Sequence, residues 1–382
     1  MQNIQNGINS SLKDYDVGID LLNDKGEAND FNDDIKTVRP VRIIIENIMG
    51  IGDLDIDLSS AVNVFIGENG TGKTSVIKCL YSLIAGLMDA DHQTKMKLQN
   101  GVEQKIQQVF RPENNKIGNI VKEGIINASV RIIFDNGKEM HVEFGSSAAS
   151  HVNLDYDDEI KSGCPIVYIP PKEMVSVDGF VSLYENYSIS FEEMYNRIAR
   201  QLSMPAKKHL SDEIQVIVDD LAELIEGKVI LHNGRLYLEE KETGHLLEMG
   251  LLSEGYKKII TLLQLVVNGN IKRGSVLIWD EPETNMNPKM SVKLVNALNA
   301  LAKNGVQVII TTHDYFVAQE FGLIAKYDAG DMRYCFNSLY KEGGIRLESN
   351  DDLFEIFHNP IMEEFDSLYE RENILRWKEP EI

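Results

Sequence analysis

The sequence predicts an α/β fold in which a parallel sheet with crossover helices carries an antiparallel β lobe and a small helical lobe. Three observations predict it. Short β-branched runs at residues 62–66, 275–279 and 306–311 are separated by helix-forming stretches, as in a parallel sheet with crossovers. Hairpin turns such as Asp135-Asn136-Gly137 mark antiparallel strands outside that sheet. The segment from Gly67 to Thr74, GENGTGKT, follows a strand and precedes an amphipathic helix over residues 75–87, so it fits the phosphate-loop pattern G-x-x-x-x-G-K-[ST].

Taken in order, residues 1–40 are rich in Asn, Asp, Ser and Gly and are expected to form a polar tail. Strands are expected at residues 41–47, 54–58 and 62–66, the second from clean alternation. A polar, helix-prone stretch covers residues 89–110, and strands at 125–134 and 138–144 flank the Asn136-Gly137 turn. Residues 167–169 read as a buried strand ended by Pro170-Pro171, and residues 190–226 as two helices broken near Pro205. A hairpin turns at Asn233-Gly234. Residues 256–267 and 288–302 show helical spacing. From residue 325 short strands lead to a last helix over residues 361–372.

The composition is 43% hydrophobic and 26% charged, ordinary for a soluble globular chain, and the apolar runs fall short of a membrane span. No signal-peptide character is visible, and Cys79, Cys164 and Cys335 form no CxxC pair, so a cytoplasmic protein without a zinc knuckle or disulfide framework is expected. The net charge of −22 works against DNA as the main ligand and suits a basic protein partner.

The chemistry gathers in four motifs. In the first, Gly67, Glu68, Asn69, Gly70, Thr71 and Gly72 turn backbone N–H groups inward around phosphates. Lys73 adds a point charge, Thr74 offers a hydroxyl to Mg²⁺, and Ser75 continues the helix start. In the second, VLIWDEPE, the apolar run ends at Asp280, which emerges at the carboxyl edge of the sheet as a Mg²⁺ ligand opposite Thr74; Glu281 is placed to polarise a water. In the third, TTH, His313 emerges at the same edge to fix that water or the γ-phosphate. In the fourth, LLSEGYKK, Ser253 caps a helix whose first N–H groups are free for an anion.

These motifs, in this order, resemble the ABC-type ATPase heads. The stretch IENIMGIGDLDIDLSSAVNVFIGENGTGKTSVIKCL is closest to the non-transporter branch, including the RecF and overcoming-lysogenization-defect (OLD) ATPases, and SEGYKKIITLLQLVVNG with VLIWDEPETNMNPK is similar to bacterial AAA-domain ATPases. The resemblance implies a P-loop NTPase with an ABC-type core sheet over residues 41–325, a helical signature lobe inserted at about 174–256, and an α/β extension over 326–382. It also implies a homodimer, or a higher homo-oligomer, that traps two ATP with Mg²⁺. Ser253 and Gly255 of one copy would touch the other copy's γ-phosphate, and Thr284, Asn285 and Asn287 would cross the interface.

Two departures stand out: Glu254 replaces the small second residue of the family signature, and no Gln follows the strand ending at Ile169, where Glu173 is a candidate water-mediated Mg²⁺ ligand or, equally, a structural residue of the second lobe. No coiled-coil arm, Toprim nuclease or membrane segment is visible. The expected function is therefore an ATP switch controlling a separate effector, a nuclease or another toxin, in anti-phage defence. A RecF-like ATPase on duplex DNA is the alternative, with Arg111, Lys116, Lys122, Lys207 and Lys208 as candidate contacts, and a transporter subunit is a lesser one. The acidic group Glu348, Asp351, Asp352 and Glu355 is expected to be a solvated or partner-facing patch.

Overall fold

The computed structural model describes residues 37–90, 94–158, 160, 163–187, 189–232 and 234–376. The expected tail lies outside the described residues up to residue 36. β1 (Pro40–Ile48) and β2 (Gly52–Asp57) form a hairpin in which buried Ile43, Ile45, Leu54 and Ile56 alternate with more exposed neighbours, the period of a half-buried sheet. β3 (Val62–Gly67) is buried at every position, as befits a strand covered on both faces. It feeds α1 (Lys73–Asp89), which packs on α2 (Lys95–Phe110) so closely that a Cβ on Gly101 would stand 2.6 Å from that of Ala90. β4 (Asn127–Phe134), β5 (Glu139–Gly145) and β6 (Asn153–Tyr156) extend the first hairpin into an antiparallel sheet of order β2-β1-β4-β5-β6.

β7 (Ile166–Ile169) precedes a lobe of α3 (Phe180–Asn186), α4 (Glu193–Leu202) and α5 (Asp212–Leu224), followed by β8 (Gly227–His232), β9 (Arg235–Glu240) and β10 (Leu246–Glu248) in a separate three-stranded sheet. The largely buried α6 (Glu254–Val267) then leads to β11 (Val276–Asp280), α7 (Pro288–Lys303), β12 (Gln307–Thr311) and α8 (Tyr315–Tyr327). β13 (Tyr334–Lys341), β14 (Ile345–Asn350) and α9 (Pro360–Arg376) follow.

The central sheet runs β14-β13-β3-β12-β11-β7, parallel throughout except for the edge strand β14. Its parallel register places Asp280 beside Thr311, Thr311 beside Phe65, and Trp279 beside Ile169. The carboxyl ends of β3, β12, β11 and β7 therefore open on one edge, where open α/β sheets gather ligands. The sequence reading missed β6, β10, α3 and α8; the hairpin expected at residues 228–239 is β8–β9, to which β10 adds a third strand. The turn residue Asn233 lies outside the described residues.

Candidate nucleotide site

The loop after β3 is shaped by glycines at positions where a side chain would be strained. Gly67, Gly70 and Gly72 have φ of 145°, 75° and 93°, backbone that L-residues rarely adopt. A Cβ on Gly67 would also stand 2.3 Å from the Leu339 carbonyl oxygen on β13. The loop ends at the N-terminus of α1, whose first-turn N–H groups have no intrahelical acceptor and whose dipole favours an anion. Lys73 Nζ donates to the carbonyls of Gly67 (2.7 Å) and Glu68 (2.9 Å), so its ammonium is held within the loop. Burial lowers its pKa, against the attraction of Glu281 and Asp280.

Asp280, 1% exposed, ends β11 in a ring of hydroxyls. Its Oδ1 accepts from Thr311 Oγ1 (2.5 Å) and Thr74 Oγ1 (3.1 Å), and its Oδ2 accepts from Tyr168 OH (3.2 Å). Burial raises its pKa while the Thr311 and Thr74 hydrogen bonds pull it down. Thr74 and Asp280 thus set a hydroxyl and a carboxylate, both hard oxygen donors, face to face, a pair suited to Mg²⁺.

Glu281 stands in left-handed backbone at φ 49°, which few non-glycine residues adopt. Several hydrogen bonds hold it there. Its N–H donates to Thr311 Oγ1 (3.0 Å), and its carbonyl accepts from Lys258 Nζ (3.0 Å) on α6. Burial depresses the Lys258 ammonium to about 8 despite nearby Glu283 and Glu281. The Glu281 carboxylate lies 3.6 Å from His313 Nδ1. His313 is positioned by its own backbone, whose N–H donates to Glu283 Oε1 (3.2 Å); the same oxygen accepts from Thr312 Oγ1 (2.7 Å).

A cleft of about 290 Å³ opens over this edge, lined by the loop from Asn69 to Ser75, by Glu281, and by Met49, Ile51 and Ile345. The cleft therefore brings together Asn69 to Ser75 and Glu281, with Asp280 joined to it through Thr74 and His313 through Glu281. Ser253, Gly255 and Asn285 do not line the cleft. Ser253 caps α6 by accepting from Tyr256 N–H (3.4 Å), and a Cβ on Gly255 would stand 2.7 Å from Met290 Sδ. Asn285 has φ 63°, and Asn287 caps α7. Thr284 Oγ1 donates to the Glu281 carbonyl at 3.0 Å.

The Glu173 carboxylate is engaged away from this pair: it accepts from Ser176 and lies 3.4 Å from Lys257 Nζ, which also pairs with Glu254 at 2.8 Å. Lys257 thereby neutralises the unusual signature carboxylate. Sequence reasoning missed Tyr168, Thr311, Glu283 and Lys258. Three lay inside or beside quoted motifs, but only the folded sheet shows what each touches. Of the acidic group in the later segment, Glu348 accepts from the Phe357 and His358 backbone N–H groups, and Asp352 pairs with Lys326. Among the described residues no group of His, Cys, Asp and Glu has the arrangement of a metal site built from those side chains alone.

A family described as "AAA domain, putative AbiEii toxin, Type IV TA system" matches residues 167–318. A stretch of 59 residues is 42% identical to the DNA replication and repair protein RecF of Vibrio campbellii (strain ATCC BAA-1116), covering 15% of this chain and 16% of that protein. The SMC head bound to the C-winged helix domain of ScpA shares the fold at TM-score 0.50 and 12% identity, over 81% of this chain and 97% of that one. The SMC head domain from Thermotoga maritima matches over 82% of this chain and 99% of its own at 13% identity and TM-score 0.45. Fold and site together define a P-loop fold of the ABC type with a nucleotide-binding loop. Within that class the chain is similar in fold to the SMC heads. No helix among the described residues is long and apolar enough to cross a membrane.

Proposed function

We propose that this chain binds ATP with Mg²⁺, hydrolyses it slowly, and uses the closing of two copies around two ATP molecules to control a separate effector protein in the cytoplasm. The observation that carries the reading is the constellation on one sheet edge: Thr74 facing Asp280 beneath the loop, and Glu281 facing His313 beside it. The loop N–H groups and Lys73 hold the triphosphate, and the cleft walls Met49, Ile51 and Ile345 take the base by apolar contact. Mg²⁺ held by Thr74 and Asp280 supplies charge neutralisation at the phosphate oxygens. Glu281 accepts a proton from the attacking water, and His313 orients that water. Ser253 at the α6 N-terminus, which lies outside the chain's own cleft, is free to meet the nucleotide of a second copy.

The toxin–antitoxin description of the matching family supports a defence role in which the effector is a nuclease or another toxin. The test is Glu281→Gln protein purified from its own host with ATP present. Bound ATP, turnover reduced at least ~100-fold, a nucleotide-dependent dimer and a co-purifying protein are expected. Native turnover would remove Glu281 as the base.

The RecF match favours a second reading, an ATPase acting on duplex DNA. That reading needs a basic face on a chain of net charge −22, and Arg111 already spends its guanidinium on the Ile189 and Phe191 carbonyls. Binding of duplex DNA that falls steeply with added salt would put this reading first.

A further inference from the structure

We infer that the outer half of α9, with Phe316 of α8, is the docking surface for a different protein, one that presents an apolar groove or helix rimmed by Lys and Arg. The inference deepens the effector reading and rests on it for the existence of a partner. α9 has 17 residues, none of them buried. It is attached at its start, where Phe365 stacks on Tyr315 at 4.3 Å and Asn359 accepts from the Met362 N–H. From Asp366 onward every hydrogen bond and ion pair it makes, among the described residues, is with itself. A helical segment so little supported is marginal in water.

The same segment is rich in the residues that water disfavours. Phe365, Leu368 and Tyr369 stand at the i, i+3, i+4 spacing of a groove-binding helix, and Leu375 extends the stripe seven residues from Leu368. Their exposures run from 45% to 64%, and the apolar surface continues through Tyr315 to Phe316. Contiguous exposed apolar area of this kind marks a contact site.

Charge identifies the occupant. α9 carries five carboxylates and two arginines. Arg371 pairs with Glu364 and Arg376 with Glu372, which leaves Glu363, Asp366 and Glu370 without a counter-charge in the described structure. A second copy of the helix would bring three more unpaired carboxylates to the contact, between chains that each carry −22. A partner with basic rims meets the same stripe with attraction in place of repulsion.

The experiment places a photo-crosslinking amino acid at Tyr369 in the full chain, expressed in its own host, and sequences the peptide it attaches to. The expected adduct is on a different protein, within an apolar segment flanked by Lys or Arg. Recovery of that protein should fall at least ~10-fold with the double variant Leu368→Glu, Leu375→Glu. Neither side chain is buried, so the variant should keep the wild-type melting temperature and ATP affinity. An adduct on a second copy, on a carboxylate-rich segment or on no protein would overturn the inference. If the partner is recovered undiminished by the double variant, the surface is wrong and the effector reading survives. If the wild-type chain recovers no protein at all, both fall together.

Discussion

The carboxyl edge of the central sheet and the outer half of α9 break the usual rule of burial in opposite directions. At the sheet edge, Lys73, Lys258, Asp280 and Glu283 are all less than a tenth exposed. Each is expensive to place there, and each is held by hydroxyls, carbonyls or neighbouring charges. On the outer half of α9, Leu368, Tyr369 and Leu375 are each more than half exposed among the described residues. On the proposed function, buried charge is tolerated where a charged ligand would meet it, and exposed apolar surface where another protein would. Substitution should therefore damage ligand binding at the first region and leave folding unaffected at the second.

The largest effect should come from Lys73→Ala. Removing the ammonium from the loop should weaken ATP binding at least ~100-fold, about 3 kcal/mol, read by titration calorimetry. Normal affinity would break the assignment of the edge. Glu283→Ala comes next. It leaves the Thr312 hydroxyl and the His313 N–H without their acceptor in a buried place, which should cost about 1–3 kcal/mol by denaturant unfolding. Glu283→Gln keeps an acceptor oxygen and should recover most of that loss. Burial raises the Glu283 carboxyl, so the folded state holds its proton to higher pH than the unfolded chain does. Wild-type stability should accordingly fall as pH rises from the ordinary carboxylate value through the folded one, and the Gln variant should lack that fall.

Lys258 titrates in the opposite sense. Its folded pKa, lowered to about 8 from 10.5, means that the unfolded chain binds the proton more tightly between those values. Wild-type stability relative to Lys258→Met should rise between pH 8 and 10, by about 3 kcal/mol at most. A flat difference would show that water reaches the ammonium. The smallest effect belongs to α9: Leu375→Ser should change stability by less than ~0.5 kcal/mol, because Leu375 is 64% exposed among the described residues. A larger loss would mean that α9 is covered within the chain itself.

Most of the fold was legible because the chemistry is written in contiguous motifs. The phosphate loop and the strand ending at Asp280 need only local sequence. Tyr168 was not legible, since its hydroxyl meets Asp280 only because β7 pairs with β11 in one register. Lys258 was read as part of a capped helix, and only the packing of α6 under β11 shows that it grips the Glu281 and Pro282 carbonyls. α8 was missed although Val317, Phe321 and Ile324 recur at helical spacing around Gly322. Its glycine marks no break; a Cβ there would stand 2.8 Å from Leu353 Cδ2, so the residue answers packing alone. The partner of the candidate ligand Glu173 was not legible either: its carboxylate pairs with Lys257, which α6 brings to it.

The left-handed backbone of Glu281 has an evolutionary consequence. An L-residue at that φ carries about 1–2 kcal/mol of strain, which Gly would relieve entirely and Asn in part. Loss of the proposed catalytic carboxylate by either replacement would therefore make the protein easier to fold. Among descendants of this sequence, mutational drift alone should favour stable, nucleotide-holding copies that have stopped turning over. A glutamate kept at this position across many relatives would then record selection for hydrolysis acting against that drift.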